Sequence, residues 1–179
     1  ERYAFELLSG LKNKGISVNI AGPEYHNSLL KAAIKELTFP FELFKKSADV
    51  YHAICPAGAK TAIMLGKSPI VTTIQDMIPF HFESTYESSW LYSYHRFCIR
   101  LSAIRSDKII VHFKCIKEEL VLRFKIPESK IRVIRLGINH NVFRPLPEVK
   151  KKEEVKKILF IGSITRSKGV DVLIKAFGL

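Results

Sequence analysis

The sequence has no run of about 18 uncharged apolar residues, so no transmembrane helix is expected. It has only three cysteines, Cys55, Cys98 and Cys115. Their odd number and wide spacing exclude a disulfide framework and a zinc-ligand pattern, and a reducing cytosol fits best. Acidic side chains are scarce: 17 Asp and Glu stand against 29 Lys and Arg, a formal charge of +12. An excess of that kind suits nucleic acid, an anionic membrane surface or phosphorylated substrates. The basic residues are scattered as on a solvated surface, and no RRM, KH, helix-turn-helix or zinc-finger pattern occurs, so nucleic acid is set aside. Gln75 is the only glutamine, a faint compositional hint of a thermophile. The chain opens on Glu1 rather than Met, and the natural start is expected to lie outside it.

What is present is a core-forming composition. Hydrophobic residues make up 47% of 179, enough for one sizeable core or one domain plus part of a second. Arg2 to Lys12 reads as an amphipathic helix with Tyr3, Leu7, Leu8 and Leu11 on one stripe, ended by Gly15. Ile16 to Ala21 alternates apolar and polar residues as a strand does. Ser28 to Glu36 reads as helix, and Pro40 as a break after it. Strands are expected at Asp49–Ile54, Ile70–Ile74, Lys108–Val111 and Ile131–Arg135. Helices are expected at Pro56–Leu65, at about Glu87–Arg105 and at Lys117–Phe124, with a loop from Gln75 to about Thr85. In the long helix, Leu91, Tyr94, Cys98 and Leu101 form the expected core stripe, and a basic flank is left to touch lipid headgroups.

Repeated βα alternation with short apolar strands predicts an α/β fold built on a Rossmann-like, doubly wound parallel sheet, with a first strand expected before Arg2. Residues 1–144 are read as one domain. Residues 145–157, rich in proline and charge, are read as a linker. Residues 158–179 are read as the first βα unit of a second domain, with Ile158–Ile161 its strand.

Ligands of open α/β sheets bind at the carboxyl ends of the strands, which singles out a few residues. Gly162 to Lys168 links a strand to a helix; it is either a phosphate cradle or an ordinary turn with solvated basic residues. Asp76, just past a strand end, either orients a substrate hydroxyl or caps its own loop. His52 and His112 read more readily as satisfied core histidines than as ligand-binding ones. Gly137 is expected to take a backbone shape that a side chain would forbid.

Six segments in order carry a family resemblance. Glu1-Arg2-Tyr3 with its helix and ISVNIAG resembles the stretch after an N-terminal glycine loop. ADVYHAICP resembles D-V-x-H, and VTTIQDMIP resembles T-I-H-D-x-x-P. SDKIIVHFKCIKEEL resembles A-D-K-I-I-x-V-S-x-x-x-K-E-E-L. The last two, IPESKIRVIRLGINHNVFRP and ILFIGSITRSKGVDVLIKAF, resemble I-P-x-x-K-I-x-V-I-x-N-G-I-D-x-x-x-F-x-P and I-L-F-V-G-R-x-x-x-x-K-G-V-D-x-L-I-x-A-F. Together they resemble the retaining family 4 glycosyltransferases, which have the GT-B fold of two facing Rossmann-like domains.

The resemblance implies sugar transfer, of mannose or glucose type, with retention, from a nucleotide sugar such as GDP-mannose or UDP-glucose to a glycan or lipid-linked acceptor. It implies no metal and no cofactor beyond that substrate, and a cytoplasmic protein that can sit peripherally on an anionic membrane. Carried over by position, it implies Gln75 and Asp76 as catalytic residues. It implies Gly162, Ser163, Arg166, Lys168, Gly137 and Asn139 as donor-binding, and Arg2, Tyr3, His52 and His112 as acceptor-binding. Three departures stand out: the family's histidine is Gln75, its serine is Phe113, and its glycine-following arginine is Ser163. Glutamine bonds a sugar hydroxyl but carries no proton, and Ser163 removes a positive donor that Arg166 is placed to replace. These departures keep open a non-catalytic relative, and a sugar-nucleotide epimerase of the same fold is the other alternative. The 179 residues alone are expected to show no turnover.

Overall fold

The computed structural model describes residues 2–22, 29–81, 89–145, 158–164 and 168–178, with side chains for all of these except 29–36 and 89. They fall into two compact units, Glu1–Gly137 and Ile138–Leu179.

The first unit runs α1 (Arg2–Asn13), α2 (Leu29–Phe44), β1 (Tyr51–Ala53), α3 (Pro56–Met64), β2 (Ile70–Ile74), α4 (Ile78–His81), α5 (Ser89–Arg105), β3 (Lys108–Val111), α6 (Lys114–Phe124) and β4 (Ile131–Val133), with a 3-10 turn at Glu128–Lys130. The four strands form one sheet in the order β1-β2-β3-β4. Every neighbouring pair is parallel, with Thr72 beside Ile109 and Ile109 beside Ile131. This is the expected α/β, Rossmann-like architecture. Right-handed crossovers between strands in sequential order place the connecting helices on one face.

Period-two alternation decides which side chains meet those helices. Ile74, Ile109, Val111 and Ile131 point to the helical face and join Ile99 and Ala103 of α5 and Ile116 and Leu120 of α6 in the main core. Leu120, fully buried, contributes about 1.5–3 kcal/mol by leaving water. A smaller cluster joins Leu43, Ala62 and Ile70. The opposite face carries His52, Val71, Thr73 and Ile110, and α1 meets it through Tyr3.

Several expectations are corrected. Residues 16–20 form no strand, and Ile16 and Ile20 are exposed. The same holds for Ile158–Ile161 in the second unit, where Leu159 and Ile161 are almost wholly exposed. Alternation gives a segment strand propensity, but a strand exists only where a ladder partner accepts its hydrogen bonds, and neither segment has one among the described residues. Pro40 lies inside α2 rather than ending it. The last turn of that helix is held by Leu43, buried against α3 and β2. A short helix, α4, occupies part of the expected loop. The buried side of α5 is Cys98, Ile99, Ser102 and Ala103, while Leu91 is exposed. α5 packs against α3, where Lys60 Nζ donates to the Tyr94 hydroxyl at 3.0 Å and Ala59 and Ala62 are buried. No described helix is long and apolar enough to cross a membrane.

Helix ends follow the sequence signals. Gly15 (φ 75°) and Gly66 (φ 66°) sit in left-handed backbone after α1 and α3. The amides of Ile16 and Lys67 close those ends on the carbonyls of Leu11 and Ala62. In the second unit the only described regular element is α7 (Val170–Phe177), preceded by Gly169 at φ 66°. Within the expected linker, residues 146–157 lie outside the described residues.

Candidate functional site

Parallel pairing brings the carboxyl ends of all four strands to one edge of the sheet. α3 and α6 begin there, straight after β1 and β3. Neither helix start is capped by a side chain: the N-cap positions are Cys55 and Phe113. Uncapped helix N-termini leave N–H groups and positive dipole ends at that edge, which favour electron-rich ligand atoms.

On the face away from the core helices, a polar row crosses the sheet near this edge. Thr73 of β2 is its hub and is fully buried. Its Oγ1 lies 2.9 Å from His52 Nε2 and 3.2 Å from the Tyr3 hydroxyl. The Tyr3 ring meets the His112 ring edge-on, 5.0 Å between centroids at 71°. His112 Nδ1 donates to the Ile134 carbonyl at 2.9 Å. Burial pushes the His52 pKa below its ordinary value, because the protonated ring would lose hydration. His52 is therefore neutral around pH 7, able to donate through one nitrogen and accept through the other.

Three residues carried over as acceptor-binding, Tyr3, His52 and His112, are thus brought together. Thr73, which ties two of them, belongs to the Thr73-Ile74-Gln75-Asp76 run at a strand end, but it was assigned no role from the sequence. The available signal was a pair of hydroxyl residues inside an otherwise apolar strand, Ile-Val-Thr-Thr-Ile. Arg2 lies one residue before Tyr3 in α1 and forms an ion pair with Glu6 one turn on, at 3.9 Å.

Gln75 and Asp76 follow β2 at the same edge, both exposed. Gln75 Nε2 donates a long hydrogen bond, 3.5 Å, to the Ile54 carbonyl beyond β1. Asp76 Oδ1 accepts from the Ile78 amide at 3.1 Å, a local turn leading into α4, and the carboxylate is exposed. α4 is pinned from both sides: Arg96 Nε donates to the Pro79 carbonyl at 2.5 Å. The Arg96 and Arg123 guanidinium groups lie 5.8 Å and 5.0 Å from the Phe80 ring centre. His81 Nε2 meets Glu119 at 2.8 Å.

The donor-side candidates lie mostly in the second unit. Gly162, Ser163 and Lys168 are exposed, Lys168 two residues before α7, and Arg166 lies outside the described residues. A Cβ on Gly162 would come within 3.1 Å of the Phe160 ring, a tight contact that the ring would have to relieve by a shift of a few tenths of an ångström. Asn139 Oδ1 accepts from the Asn141 amide at 3.0 Å, closing a local turn. Gly137, the last residue of the first unit, has no positive φ, and an added Cβ would meet nothing within 4 Å. The expectation of a glycine-only backbone there is corrected: open surroundings and ordinary dihedrals accept any side chain. Among the described residues, no group of three His, Cys, Asp or Glu side chains is gathered to hold a metal ion.

Comparison with known proteins bears on this edge. The model of Glycosyltransferase Family 4 matches residues 33–142, more than half of the chain and the whole of its sheet. An uncharacterized glycosyltransferase of Methanocaldococcus jannaschii is 35% identical over 86 residues, 42% of this chain and 22% of that protein. The D-inositol 3-phosphate glycosyltransferase of Thermobispora bispora is 26% identical over 77 residues, 40% of this chain and 18% of that protein. The matches thus span about a fifth of each relative's length.

Proposed function

The chain belongs to Glycosyltransferase Family 4, and from that premise we propose that the protein carrying it moves a mannose- or glucose-type sugar from a nucleotide-sugar donor to a glycan or lipid-linked acceptor, with retention. The observation that carries the acceptor half is the polar row of Tyr3, Thr73, His52 and His112 at the carboxyl edge of the sheet. Hydroxyls and imidazoles, which can both donate and accept, suit a polyhydroxylated ligand. Asp76, fixed by its bond to the Ile78 amide, keeps an oxygen to accept from an acceptor hydroxyl and orient it. Gln75 contributes a hydrogen bond to a sugar hydroxyl without proton transfer.

The donor half rests on the second unit. Transfer requires that negative charge be stabilised on a departing diphosphate while the sugar carbon becomes cation-like. Lys168 supplies charge, Gly162 and Ser163 supply backbone and hydroxyl donors, and the α7 N-terminus adds its dipole. Arg166 is the further cation for the position where the family's arginine is Ser163. Net charge of +12 suits phosphorylated substrates and an anionic membrane on which the protein sits peripherally.

A non-catalytic sugar-binding relative is the second reading. It is favoured by Gln75, whose amide is engaged with the Ile54 carbonyl. The test is Lys168→Ala in a full-length protein carrying this chain. A lysine–phosphate hydrogen bond of about 1.5–3 kcal/mol corresponds to roughly tenfold to 150-fold weaker binding of GDP-mannose or UDP-glucose. Unchanged binding of both donors would remove Lys168 from the donor site.

A further inference from the structure

His112 follows β3 and is only 4% exposed. A carbonyl oxygen only accepts, so the 2.9 Å contact with the Ile134 carbonyl requires the hydrogen on Nδ1. In the neutral ring Nε2 is then a bare lone pair. That nitrogen is buried and has no hydrogen-bond partner among the described residues. On the same face of the sheet, His52 and the Tyr3 hydroxyl are already bonded to Thr73. An unpaired buried acceptor is destabilising, and an apolar side chain here would avoid that cost. The family pattern stated above has valine at this position.

Resting on the glycosyl-transfer reading, we propose that His112 Nε2 is a built hydrogen-bond acceptor for a hydroxyl of a neutral sugar ring. The lone pair selects for an O–H donor, whereas a phosphate presents mainly acceptor oxygens to it. Tyr3 is the ring packed edge-on against His112, and its hydroxyl is tied to Thr73 at 3.2 Å. An arriving sugar displaces that ring, and its hydroxyl donates to Nε2. The same displacement frees the Tyr3 hydroxyl and one side of Thr73 Oγ1 to bond a second hydroxyl. His112 is thereby a specificity-determining residue for the sugar, and Tyr3 the cover that the ligand exchanges with.

The experiment follows the 15N resonances of labelled histidine in a full-length protein carrying this chain. Methyl α-mannoside, methyl α-glucoside, GDP-mannose, UDP-glucose and inorganic phosphate are added separately. The His112 Nε2 resonance should sit at the free-lone-pair position without ligand and move to the hydrogen-bonded position with a saturating sugar. A shift with a methyl glycoside assigns the acceptor sugar; a shift with a nucleotide sugar alone assigns the donor sugar. His112→Val removes the unpaired nitrogen together with the Nδ1 donor to the Ile134 carbonyl, so its folding is verified by thermal unfolding, and it should weaken that sugar's binding about tenfold. A resonance already hydrogen-bonded in the free protein, a shift with phosphate alone, or no shift with any sugar overturns the proposal. So does a His112→Val protein with unaltered affinity for every sugar. Absence of turnover, with the His112 shift intact, would count against transfer and not against this contact.

Discussion

Adjacent threonines in β2 point to opposite faces, and the one that faces the helices gives a sharp test of the packing. Thr72 Oγ1 and Ser106 Oγ are 2.6 Å apart, with relative exposures of 0% and 1%. Each hydroxyl is the other's side-chain partner at the junction where α5 turns into β3. Thr72→Val removes one hydroxyl and strands the other in a dry site, at about 1–3 kcal/mol. Ser106→Leu would confound packing with polarity, so Ser106→Ala is the matching change. It strands the threonine hydroxyl at a similar cost, plus a small cavity term. The double variant leaves no orphan, so the two losses do not add: it should be less destabilised than their sum by about 1–3 kcal/mol. Urea unfolding of the four proteins, with unchanged m values, measures the cycle. Strict additivity, or a double variant as unstable as the sum, would refute the reciprocal pairing.

Three further outcomes are expected. Phe113 occupies the N-cap of α6 in extended backbone (φ −130°, ψ 146°) with no side-chain cap, so Phe113→Ser should stabilise by about 0.5–2 kcal/mol in the same denaturation assay. Asp76→Ala should cost about 1 kcal/mol by removing the acceptor of the Ile78 amide, whereas Asp76→Asn keeps one; stability kept with transfer lost would separate chemistry from the turn. His52 has a lowered folded pKa, so the unfolded chain binds the proton first as pH falls. Its contribution to stability is then full above the unfolded value of about 6.5 and is lost as pH drops from there through the folded pKa. Urea midpoints measured on either side of that value should fall toward acid, and less so in His52→Gln.

The sheet was legible because β2 and β3 are short runs rich in β-branched residues, each preceded by a helical segment, the first of them closed at Gly66. The glycine-closed ends of α1 and α3 were legible from local chemistry alone. What escaped were features that depend on a partner. Ile16–Ile20 and Ile158–Ile161 have strand-like patterns, but pattern does not say whether a neighbouring strand exists. On α5, Cys98 of the expected stripe is buried, but Leu91 is exposed and the rest of the buried side is Ile99, Ser102 and Ala103, because small side chains can fill a tightly packed face as well as large ones. The role of Thr73, though not its strand-end position, escaped because it follows from partners 21 residues upstream and in α1. The candidate histidines were legible by position at strand ends, but not the direction of their hydrogen bonds.

The most direct test of the account is turnover by a full-length protein carrying this chain, supplied with GDP-mannose or UDP-glucose, with release of nucleoside diphosphate and product anomer followed together. The account predicts hydrolysis or transfer of one donor with retained configuration. A folded protein that binds neither donor would contradict it and favour the non-catalytic reading.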